Sequence, residues 1–79
     1  MKVLIKVFYL YHEVKAMQKG VFPVNAKEYK AFPDHAAAHS ASVFVQQIKR
    51  MFPELKLLRV AYGEDEKDIT ELVIEKMRK

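Results

Sequence analysis

The chain contains no cysteine, which excludes disulfides and thiolate-held metals as sources of stability. Its only glycines are Gly20 and Gly63, so it has no glycine-rich loop of the kind that cradles phosphates. No stretch approaches the roughly 20 apolar residues of a membrane-spanning helix. The opening run MKVLIKVFYLY is interrupted by Lys6, and no small-residue cleavage site follows it at a suitable distance, so it does not read as a secretory signal. The expected location is the cytoplasm, with no membrane contact.

What is present is a hydrophobic fraction of 51% in 79 residues, too apolar for a disordered chain and enough for one small domain spanning 1–79. A core of that size leaves a thin margin of stability, so a homodimer or another protein partner is expected to add to it. Net charge is +4 and unevenly placed. Residues 1–32 carry six lysines against Glu13 and Glu28, whereas residues 64–79 hold six acids against four bases. Such asymmetry steers an anionic partner to the basic end, or one subunit to another, although exposed lysines also serve solubility alone.

The longest periodic stretch is DHAAAHSASVFVQQIKRMF, residues 34–52. Apolar residues at Ala37, Ala41, Phe44, Val45, Ile48, Met51 and Phe52 form one helical stripe. Asp34 is the expected N-cap, Lys49 and Arg50 suit the negative end of the helix dipole, and Pro53 stops the helix. Residues 2–12 read as a strand with Val3, Ile5, Val7, Tyr9 and Tyr11 on one face and Leu4, Phe8 and Leu10 on the other. Both faces are partly apolar, which predicts a central strand. Residues 13–25 lose the pattern and read as a loop or loose bend, with Lys19-Gly20 as the turn signal. Residues 26–32 are expected to form a weak edge strand, and residues 55–62 a further strand with Leu58, Val60 and Tyr62 on the core face.

The last segment, DITELVIEKMRK, fits either a capped helix from Asp68 or a strand rich in β-branched residues. Ile74 tips the reading to strand, because a helix leaves it off the apolar stripe. The expected fold is therefore α+β and two-layered: an antiparallel sheet of three or four strands packed on one central helix, in ββαββ order. The expected core is Val3, Ile5, Val7, Tyr9, Ala41, Phe44, Val45, Ile48, Phe52, Leu58, Val60 and Leu72.

Chemistry-bearing patterns are sparse. His35 and His39 stand four apart on one helix face, the spacing of two zinc or nickel ligands, but Ala36 occupies the place of the glutamate in H-E-x-x-H. A third ligand would come from His12, Glu13 or Asp34. Ser40 beside His39 points about 100° away from it, the wrong geometry for a nucleophile and its base. The clustered carboxylates of residues 64–68 form a solvated run without the burial that tunes an acid or base. No catalytic residue and no cofactor are expected. The favoured function is a non-catalytic binding module that meets a protein partner, or itself, through a sheet edge or through a patch of Leu4, Phe8 and Leu10. The alternatives are sequence-nonspecific phosphate contact by Lys15, Lys19, Lys27 and Lys30, and a metal site at His35 and His39.

Overall fold

The computed structural model of the chain describes residues 1–78. Strand β1 (Lys2–Tyr11) turns back at His12-Glu13 into β2 (Val14–Pro23). Two helices follow, α1 (Ala26–Ala31) and α2 (Pro33–Met51), then β3 (Lys56–Tyr62), a two-residue β4 (Lys67–Asp68) and α3 (Thr70–Met77). The four strands form one sheet in the order β2-β1-β3-β4, and every neighbouring pair is antiparallel. The fold is thus α+β and two-layered, with β1 central as its two apolar faces predict.

The hairpin is the largest correction to the sequence reading. Residues 14–23 are not a loop but a full strand paired with β1 from Tyr11↔Val14 to Lys2↔Pro23. The turn sits at His12 and Glu13, both at positive φ (49° and 65°), where L-residues rarely go and no glycine announces the bend. Lys19-Gly20 lies mid-strand instead. Gly20 faces Ile5 across the ladder, and a Cβ there would approach Phe22 Cε1 to 2.8 Å. Glycine leaves room for the Phe22 ring, which tilts onto Phe44 of α2 with centroids 4.6 Å apart.

Residues 26–32 are not an edge strand. Asn25 caps a short helix there, its Oδ1 accepting from the Glu28 amide at 3.0 Å. Only Tyr29 of α1 turns inward, meeting Tyr62 edge-on. The central helix begins with Pro33 at its first position, and Phe32, not Asp34, is the N-cap. Its stripe of Ala37, Ala41, Phe44, Val45 and Ile48 is buried against the sheet, whereas Met51 is exposed. Phe52 packs just beyond the helix end on Tyr9 and Tyr11.

A bulge in β3 accounts for the one core residue misplaced to the surface. Phe8 pairs with Arg59 but Tyr9 with Leu57, so Leu58 is the extra residue and is 46% exposed. Leu57, Val60 and Tyr62 share the core side, opposite Tyr9, Val7 and Ile5.

The final segment is a helix and not a strand. Asp68 Oδ1 accepts from both the Thr70 amide (2.9 Å) and the Thr70 hydroxyl (2.6 Å), and that hydroxyl accepts from the Val60 amide at 2.9 Å. These bonds start α3 and tie it to β3. Val73 is buried, Leu72 and Met77 pack on the core, and Ile74 remains exposed, as a helix requires. The order is therefore ββααββα.

Candidate functional site: the open face of the sheet

The residues of β1 alternate cleanly. Val3, Ile5, Val7 and Tyr9 are buried under the helices, while Leu4, Lys6, Phe8 and Leu10 lie half-buried on the opposite face. Cross-strand pairing extends that second face. Leu4 stands beside Val21, Phe8 beside Met17, Leu10 beside Lys15, and Lys6 beside Lys19. On the other flank, Phe8 stands beside Arg59, Leu10 beside Lys56 and Lys6 beside Ala61. The result is an apolar strip of Leu4, Phe8, Leu10, Met17 and Val21, crossed by the Lys6–Lys19 pair and bordered by further cations. Met17 is 45% exposed and Val21 61%.

The two borders differ in charge. Toward β3, the Arg59 guanidinium lies 5.5 Å from the Phe8 ring centre, donates to the Glu66 carbonyl at 2.9 Å and sits 3.7 Å from the Asp68 carboxylate. Lys6 pairs with Glu66 at 3.4 Å. Hydrogen bonds from the Thr70 hydroxyl and amide, with Arg59 adding attraction, hold the Asp68 carboxyl below the usual carboxylate range. Toward β2, Lys15 and Lys19 are exposed and pair with no carboxylate among the described residues. Lys6 and Arg59 are thus neutralised within the fold, whereas Lys15 and Lys19 on β2, and Lys56 at the start of β3, present unpaired positive charge among the described residues.

The three residues expected to form a contact patch, Leu4, Phe8 and Leu10, do share this face. Met17, Val21 and Arg59 were missed, the first two because β2 reads as a loop. Their signal was the alternation of Lys15, Met17, Lys19 and Val21 against Ala16, Gln18, Gly20 and Phe22. The four lysines of the phosphate-contact set do not stay together: Lys15 and Lys19 lie on the sheet, Lys27 and Lys30 on α1 beside the helical layer.

His35 and His39 are both exposed in the first half of α2. His12 is at the far end of that helix, its ring 4.0 Å from Tyr11, which in turn packs on Phe52. Asp34 is engaged elsewhere, by the Tyr62 hydroxyl and Lys67. Among the described residues no three histidine or acidic side chains gather where they would hold a metal. The serine hydroxyls donate to backbone carbonyls, Ser40 to Pro23 (2.8 Å) and Ser42 to His39 (2.7 Å). No helix among the described residues is long and apolar enough to cross a membrane. No protein-family model matches the chain, and neither a curated protein nor a solved structure shows significant similarity to it.

Proposed function

We propose that this protein is a non-catalytic binding module whose open sheet face docks a protein partner. The observation that carries this reading is the strip of Leu4, Phe8, Leu10, Met17 and Val21, gathered on one face of two paired strands opposite the helical layer and crossed by the Lys6–Lys19 pair. Apolar surface collected in one place and rimmed by polar groups is the usual anatomy of a contact patch, whereas scattered exposed apolar residues carry no such meaning. Covering it removes apolar area from water and is favourable in proportion to that area.

Selection of random peptides by display against the immobilised protein tests the reading. Recovered binders lose at least about tenfold in affinity to Met17→Asp, which places a charge in the strip, and bind Val43→Asp on the outer side of α2 as they bind the unaltered chain. Binders indifferent to Met17→Asp, or none recovered, overturn it. So does a single-stranded oligonucleotide that binds this face more tightly than any peptide, with affinity falling steeply as salt rises.

A further inference from the structure

Among the described residues, the outer edge of the ten-residue β2 is the longest strand edge that no other strand covers. The amide of Val24 donates to the Met1 carbonyl at 2.8 Å, which sets the phase of the β1–β2 ladder. Hydrogen-bonded and non-bonded pairs alternate in an antiparallel ladder, so Val14, Ala16, Gln18, Gly20 and Phe22 bond inward to β1. The backbone N–H and C=O groups of Lys15, Met17, Lys19 and Val21 then point outward, away from the sheet. Pro23 ends this edge: it has no N–H, and its carbonyl is taken by Ser40 at 2.8 Å. On the opposite side of the sheet the two-residue β4 covers Ala61 and Tyr62, and Thr70 and Ile69 bond to Val60, so only the short stretch Lys56–Arg59 of β3 is left without a strand beside it.

The same four residues project their side chains onto the open face in the order cation, apolar, cation, apolar. We infer that β2 is the acceptor edge for an extended protein segment that carries acidic residues at alternate face positions and apolar residues between them. This inference rests on the protein-binding reading of the open face and names the chemistry of the partner. Added antiparallel, as all pairs in this sheet are, the segment reads apolar-x-acid-x-apolar-x-acid opposite Val21, Lys19, Met17 and Lys15. Its apolar residues extend the strip of Leu4, Phe8 and Leu10, and its acids meet the two free lysines.

A second copy of this chain fits the edge less well. In a two-fold pairing of β2 with itself, the outward residues face one another in one of three central registers. Centred on Met17, Lys15 opposes Lys19; centred on Lys19, lysine opposes lysine; centred on Gln18, each lysine opposes Val21 or Met17. None of these three registers gives a lysine a carboxylate, and all gather four lysines at the seam. Such lysines guard an edge against its own kind while leaving it open to an acidic strand.

The test titrates the isotope-labelled protein with the synthetic peptide TVTETVTET and with its counterpart TVTKTVTKT, following backbone amides by NMR. The acidic peptide is expected to bind about tenfold more tightly or better than the lysine peptide, with the largest amide shifts at Lys15, Met17, Lys19 and Val21. In the double variant Lys15→Glu/Lys19→Glu, which alters only exposed side chains, the preference reverses. Equal binding of the two peptides, binding of neither, or shifts confined to the helices overturns the inference. A concentration-dependent dimer whose β2 amides are protected in the absence of peptide overturns it in favour of a second copy. Display-selected binders that shift Leu4, Phe8 and Leu10, with no acid preference and no effect at the β2 edge, overturn this inference while leaving the open-face reading intact.

Discussion

The Tyr62 hydroxyl, at the end of β3, donates to Asp34 Oδ1 in the first turn of α2 at 2.5 Å, while Lys67 lies 3.0 Å from the other carboxylate oxygen. Asp34 thereby joins the helical layer to the sheet near the start of β4, and it does so with the oxygens that a capping role would have used. The hydrogen bond from Tyr62, followed by the bond and charge of Lys67, holds the Asp34 carboxyl below its ordinary value. Burial, and then the same bond to Asp34, pushes the Tyr62 phenol well above its ordinary value of 10.0.

Two opposite pH dependences follow from that pair. A lowered carboxyl contributes stability that is fully present above its unfolded value near 4 and is lost as pH falls through the lower folded value. A raised phenol contributes stability that is present below its unfolded value near 10 and is lost as pH rises beyond it. Chemical denaturation across the pH range is expected to show Asp34→Asn flattening the acid limb and Tyr62→Phe flattening the alkaline limb. At neutral pH, Tyr62→Phe is expected to cost about 1 kcal/mol, the scale of one hydrogen bond. Unchanged limbs in both variants would show that the bond is absent in solution.

Ile48 is fully buried on the central helix between the sheet and the rest of the apolar layer. Replacing it with alanine leaves a cavity and is expected to cost about 2–5 kcal/mol in thermal or denaturant unfolding. A loss below about 1 kcal/mol would mean that this helix face does not pack as described.

His12 and Glu13 both sit in the left-handed region, where a side chain costs roughly 1–2 kcal/mol per residue. His12→Asn with Glu13→Gly supplies the residue pair that a two-residue hairpin of this hand prefers. The double variant is expected to gain about 1 kcal/mol or more in stability, measured by urea unfolding, with peptide binding unchanged. A loss of stability would place the turn elsewhere.

Strand β1 and helix α2 are legible in the sequence because each carries one clear period over many residues, ten in the strand and nineteen in the helix. The open-face patch of Leu4, Phe8 and Leu10 follows from the same alternation. Strand β2 is hidden because three of its five inward positions are small or polar: Ala16 opposite Tyr9, Gln18 opposite Val7 and Gly20 opposite Ile5. Gln18 earns its inward place through a hydrogen bond to the Tyr9 hydroxyl at 2.9 Å, a tertiary contact that no local pattern announces. Helix α3 is obscured because Ile74 is apolar yet exposed, and because its start depends on Asp68 and Thr70 bonding to each other and to Val60. The β3 bulge shifts the facing of Leu58 by one residue, which alternation alone cannot reveal.

The most direct measurement is an amide-resolved NMR map of the labelled protein bound to its tightest display-selected peptide. Docking on the open sheet face predicts shifts at Leu4, Phe8, Leu10, Met17 and Val21, with the outer side of α2 at Val43, Gln46 and Lys49 unmoved. Shifts centred on Val43, Gln46 and Lys49, with the sheet strip unmoved, would contradict it.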